Sequence, residues 1–272
     1  MNIKRILCFA AAAGCLLLCF SSFLKQKTTK IHSFSEEKPA IKIIYQQGHV
    51  VVSSGTGVKK GKNTVTITKG GEYIVKGESS NGRILVDVGD EEKVKLKFNG
   101  LVLKCEDSCP LYVKNADKVV IRLKQGTENI LTDANFYKMD PNIDKTPAAC
   151  IYSRSDLTIK GAGSLAVNGN FHHGISCTKD LKIKDGTIRV KAEKDAVRGK
   201  KSVLIEGGKL FLSAGRDGIH SRGNLTIKNK KIEIDAKQYG MYAFGIMDIS
   251  GSSDIKIRDA LVQKASMGNT KD

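Results

Sequence analysis

One step of 22 residues governs the C-terminal half of this chain. It carries Leu181 to Val203, Leu225 and Met247, and Ile183 to Ile205, Ile227 and Ile249. It also carries Val190 to Leu212 and Ile234, and Ala192 to Ala214 and Ala236. Inside each unit apolar and polar residues alternate, as in Leu181-Lys-Ile-Lys184 and Asn224-Leu-Thr-Ile-Lys228. Period-two alternation marks a strand with one buried face. A fixed outer period of roughly 20 to 50 residues marks stacked repeats, each burying its apolar face only against its neighbours. A unit this short suits neither a propeller blade nor, lacking any helical pattern, a leucine-rich repeat. It suits one coil of a parallel β-helix, three short strands and three bends. Coils then stack roughly 4.8 Å apart, so like residues form columns. The all-small column Cys177, Gly199, Ser221, Ala243 fits a tight inner corner.

Upstream the step is looser. Val94-Lys-Leu96 and Val119-Val-Ile121 are equivalent strands 25 residues apart, and Leu157-Thr-Ile159 precedes Leu181-Lys-Ile183 by 24. The stretch from Asp133 to Pro147 holds two of the four prolines and breaks the pattern, so it is expected to project as a loop. Coils are expected over residues 50–260, with a polar linker at 25–49 and a polar tail at 261–272. Residues 1–24 are separate: Lys4-Arg5 precede an uncharged apolar run from Ile6 to Leu24. That is the pattern of a secretory signal, long enough to serve as a retained membrane anchor. The rest of the chain is therefore expected outside the cell or displayed on its surface, touching membrane only through this segment.

The chain carries 45 Lys and Arg against 28 Asp and Glu, a net charge of +17. The lysines are spread through the strands, so the basic surface belongs to the folded part and favours an anionic partner. Arg198 and Lys200 point outward if Val197 and Gly199 point inward, and His220 and Arg222 take the same columns one coil on. The plain reading is a solvated face. The functional reading is a basic strip along an acidic polymer, where arginine's planar fork suits carboxylates. Nucleic acid is not expected, because Tyr242 and Phe244 are the only aromatics beside the strip and stacking platforms would be needed.

Asp195 and Asp217 head equivalent bends. Aspartate before a small residue is a common turn former. Stacked one coil apart, the two carboxylates are also candidate oxygen ligands for calcium. Their column runs His173, Asp195, Asp217, Tyr239, so its acidic part is two residues long. Cys105 and Cys109, spaced C-x3-C, are candidate disulfide partners in an exported chain.

Four stretches taken together, GEYIVKG at 71–77, the run 81–103, the run 112–133 and the run 156–219, resemble an exported carbohydrate-binding domain family with a pectate-lyase-like fold. The resemblance spans roughly residues 60–250. It implies a right-handed single-stranded parallel β-helix, binding of an acidic polysaccharide such as polygalacturonate (pectin), bound calcium and no established catalysis. A monomer is expected. Two other readings stay open: a calcium-dependent polyuronate lyase in which Arg198 or Arg222 takes the proton, and an adhesin or structural solenoid with a basic interaction face.

Overall fold

The computed structural model describes residues 40–53, 55–138, 147–228, 231–250 and 254–258. These residues form an all-β solenoid of about 8 turns with about 23 residues per turn. The chain winds repeatedly over three faces. The first face stacks Lys118–Leu123, Asp156–Lys160, Asp180–Ile183, Ser202–Ile205, Asn224–Lys228 and Met247–Ser250. The second stacks Glu128–Thr132, Ser164–Gly169, Thr187–Ala192, Lys209–Ala214, Lys231–Ala236 and Asp254–Arg258. The third stacks Leu111–Asn115, Ala149–Ser153, His173–Cys177, Val197–Gly199, Ile219–Ser221 and Met241–Ala243. All of these pairs are parallel. The twelve-residue strand Lys93–Lys104 rounds a corner, pairing with Lys118–Leu123 through its first half and Glu128–Thr132 through its second.

The registers reproduce the repeat. Ile183 pairs with Ile205, Ile205 with Ile227, and Ile227 with Ile249. The 24- and 25-residue steps upstream pair as expected too, Ile159 with Ile183 and Leu96 with Ile121. The first three isoleucines of the long column are fully buried. Ile249, in the last of these coils, is 46% exposed. The small column stacks as read, Cys177 on Gly199, Gly199 on Ser221 and Ser221 on Ala243, all buried. Small side chains suit this corner because a Cβ added at Gly199 would stand 2.5 Å from Val203 Cγ2 and 2.7 Å from the Ser202 carbonyl.

Three expectations are corrected. The stretch read as linker includes the strand Ile41–Gln46, which pairs in parallel with Gly71–Ser79 and buries Ile43 and Tyr45. Its alternation is brief, so it reads as coil without its partner. The loop from Asp133 is not wholly projecting: among its described residues Asp133 is buried and Tyr137 stacks on Phe171 with ring centroids 4.4 Å apart. Residues 139–146 of that loop, like the signal or anchor segment 1–24 and the tail, lie outside the described residues. Cys105 and Cys109 are both buried free thiols, and burial pushes their pKa values up to about 11 and about 12.

Candidate functional site

The sequence-predicted basic strip lies on the outward side of the third face. Inward residues of this face, Ile175, Val197, Ile219 and Met241, fill the core. The outward residues between them therefore stack as Tyr152, Ser176, Arg198, His220 and Tyr242. Lys200, Arg222 and Phe244 follow the same coil-to-coil register: the amides of all three donate to carbonyls one coil earlier, those of Cys177, Gly199 and Ser221. Between these columns and the bend at residues 216–217 runs a groove of about 720 Å³. Arg198, His220, Arg222, Tyr239, Tyr242 and Phe244 line it.

Asp195 and Asp217 do come together at the bend, but neither carboxylate is free. Asp195 is fully buried. Its Oδ1 accepts from Arg216 Nε at 2.6 Å, and its Oδ2 accepts from Arg216 Nη2 at 2.6 Å and Arg198 Nη1 at 2.7 Å. Burial alone would raise the Asp195 pKa. Hydrogen bonds from the guanidinium groups of Arg216 and Arg198 outweigh it and hold the carboxyl below the ordinary carboxylate range. Asp217 Oδ2 takes a hydrogen bond from His220 Nδ1 at 2.7 Å, and Asp217 Oδ1 accepts the Tyr239 amide at 3.3 Å. Since a carboxylate only accepts, Nδ1 carries the proton of His220.

The strip is thus not the open cation grid that its sequence suggests. Arg198 is a clamp on Asp195, its side chain 14% exposed. Lys200 and Arg222 are the exposed cations of the four residues, and no ion pair involves either among the described residues. Sequence reasoning passes over Arg216, the strongest partner of Asp195. The available signal was its place immediately before Asp217, where a long outward side chain can reach back one coil. Tyr239 is likewise a site residue: its ring lies 5.6 Å from that of Tyr242, which stacks on His220 at 4.9 Å.

The calcium implied by the family resemblance meets a poor donor set. Calcium takes about six to eight oxygens. All four carboxylate oxygens of Asp195 and Asp217 already accept, three of them from arginine or histidine. Among the described residues, Asp195, Asp217 and His220 form the one group of three potential metal-ligating side chains whose donor atoms lie within 4.8 Å of one another. As arranged, that group does not fit calcium.

A protein-family model described as "Carbohydrate-binding domain-containing protein" matches residues 61–272. The chain belongs to this carbohydrate-binding domain family. A relative of the same description from Acetivibrio thermocellus is 44% identical over 151 residues, 56% of this chain. Those residues are 53% of the relative's length, so the chain spans about half of it. Among solved structures, the gadolinium derivative of the polysaccharide lyase-like protein from C. thermocellum superposes with a TM-score of 0.72 at 36% identity. The match covers 84% of this chain and 98% of that one. In this carbohydrate-binding domain protein the groove is where the aromatic faces of Tyr239, Tyr242 and Phe244 meet the exposed Arg222.

Proposed function

We propose that this chain is an exported or surface-anchored binding protein that holds an acidic polysaccharide, of the polygalacturonate class, in the groove on its third face. The observation that carries this reading is the placing of Tyr242, Tyr239 and Phe244 beside Arg222 in the groove, with Lys200 one coil earlier in the column of Arg222. Sugar rings carry apolar C–H faces that pack on aromatic rings, and uronates add one carboxylate per ring. Coils repeat roughly every 4.8 Å, on the scale of one sugar ring, so a polymer lying along the solenoid meets one outward wall position per coil, filled in turn by Arg198, His220 and Tyr242. Stacked coils hold these side chains in place before binding, which reduces the ordering cost.

A second hollow of about 420 Å³ on the second face shows the contrast. Its Phe211 is covered by Arg189, with the guanidinium carbon 4.8 Å from the ring centre, and Glu233 and Asp235 stand among its cations. That surface mixes both charge signs and is a weaker match for a polyanion.

The test is affinity electrophoresis through gels containing polygalacturonate or a neutral polysaccharide, with absorbance of unsaturated products followed in parallel. Retardation by polygalacturonate and no new absorbance supports the reading. Equal migration in all gels would overturn it. Unsaturated products would transfer the assignment to a lyase.

A further inference from the structure

Arg216 stands where two stacked carboxylates converge. Its fork grips both oxygens of Asp195 at 2.6 Å, and its Nε lies 3.6 Å from Asp217 Oδ2. The side chain of Asp195 has no exposure and that of Asp217 only 4%. Two aspartates shielded from water, one coil apart, repel each other unless a cation lies against them. A solenoid can supply that cation from solution as a divalent ion. This chain supplies it covalently.

We infer that Arg216 is the built-in replacement for a divalent cation at this bend, so that the fold and its groove need no metal, and that removing the guanidinium opens a metal site formed by Asp195, Asp217 and His220. The site is already assembled around the arginine. The donor atoms of these three residues lie within 4.8 Å of one another. Two carboxylates and one imidazole form an oxygen- and nitrogen-donor set open to first-row divalent ions, and manganese is the one whose binding can be read directly by its paramagnetism. The imidazole would ligate through a deprotonated nitrogen, releasing its proton or presenting the other tautomer. Arg198 would stay on Asp195 Oδ2 and keep that carboxylate oriented. The neighbours of Arg216 in its own column, Lys194 before and Gln238 after, join it through backbone hydrogen bonds. Among the described residues neither forms an ion pair or hydrogen bond with either carboxylate, so within this column only position 216 sets a cation between them, while Arg198 pairs with Asp195 alone.

The test compares the untagged full chain with Arg216→Ala, Arg216→Lys and the double variant Arg216→Ala/Asp195→Asn. Thermal melting is followed in EDTA and in 1 mM manganese, and metal binding is read by manganese electron paramagnetic resonance. The parent chain should melt at one temperature in both buffers. Arg216→Ala should melt lower in EDTA, recover by several degrees in manganese and bind about one ion. Arg216→Lys should stay metal-indifferent. The double variant should lose the recovery. A parent chain that is stabilised by manganese overturns the inference. So does an Arg216→Ala chain that melts like the parent in EDTA, or one that manganese neither binds nor rescues. If Arg216→Ala does not fold in EDTA, folding restored by manganese supports the inference and failure to restore it counts against it.

Discussion

His173 Nδ1 lies 3.3 Å from Asp195 Oδ2, yet the ring is held neutral. Burial lowers its pKa to about 3, and the nearby Arg198, His172 and Arg216 add to the effect against the pull of Asp195. Consistent with neutrality, Nδ1 accepts the Asp195 amide at 3.2 Å.

This relationship sets an acid limb of stability. An unfolded histidine takes up a proton near pH 6.5, whereas the folded ring resists until about pH 3. Between those values the unfolded state binds more protons, so stability falls as pH falls. The slope reaches about 1.4 kcal/mol per pH unit for one full proton. Asp133 acts in the opposite sense. Burial raises its pKa to about 6, so its contribution grows as pH falls from about 6 toward the ordinary carboxylate range. Urea titrations from pH 7 to 4 read the sum of these opposing slopes, and His173→Asn should leave the chain losing less stability, or gaining more, as pH falls than the parent does. An unchanged slope in that variant would remove His173 as the cause.

Asp195→Asn should cost about 3–5 kcal/mol, the range for breaking a buried pair and leaving its partner charges uncompensated. Arg198→Ala should also destabilise, because its guanidinium is part of the same clamp. Lys200→Ala should not, since that side chain is exposed and no ion pair involves it among the described residues. Chemical denaturation of the three variants checks this order. Arg198→Ala melting with the parent would show that the clamp rests on Arg216 alone.

The fold was far more legible than the site, for a physical reason. Columns are set by backbone register, and register is written in period-two alternation and in the 22-residue step. Hence Ile183, Ile205 and Ile227 could be stacked from the sequence alone. A long polar side chain obeys no such register. Arg198 occupies an outward position, as expected, but turns back three residues to Asp195, and Arg216 crosses a whole coil to reach the same carboxylate. Neither reach is visible as periodicity. The strand at Ile41–Gln46 escaped notice because its evidence is its partner, Gly71–Ser79, some 30 residues on.

Column position should decide the cost of core truncation. Ile205 has no exposure and is stacked between Ile183 and Ile227. Ile205→Ala should therefore cost about 2–5 kcal/mol through lost burial and a residual cavity. Ile249→Ala removes the same atoms from the same column, but from a side chain that is 46% exposed. Its cost should be clearly smaller. Equal losses in the two variants would mean that the last coil is as well packed as the middle of the solenoid.

Gly218 ties the bend to the core. A Cβ there would stand 2.3 Å from Ile234 Cγ2 and 2.6 Å from the Gly240 carbonyl oxygen. The backbone oxygen cannot move without disturbing the next coil, so Gly218→Ala should lower the melting temperature and displace Asp217, its chain neighbour, from His220. Ala196, one coil earlier, already carries a Cβ at the equivalent place and is buried without exposure. Ala196→Gly should therefore be the milder exchange, and a thermal melt of the pair separates the two.

Binding should divide between stacking and charge. Tyr242 stacks on His220 at 4.9 Å and lines the groove, so Tyr242→Ala removes an aromatic face together with the support of its neighbour. It should weaken retention whatever the charge of the polymer. Arg222 and Lys200 should matter only for acidic chains. Exposed ion pairs contribute roughly 0–1 kcal/mol each, and about 1.4 kcal/mol is tenfold in affinity. Arg222→Ala with Lys200→Ala should thus weaken polygalacturonate binding by up to about an order of magnitude while leaving melting nearly unchanged. Raising salt should mimic the double variant, since exposed charges are screened beyond about 8–10 Å near physiological ionic strength. The salt effect should also be smaller in the double variant than in the parent chain. If the salt dependence survives intact when both cations are gone, the acidic polymer runs over other lysines of this basic surface, and the contact face must be sought on the first or second face.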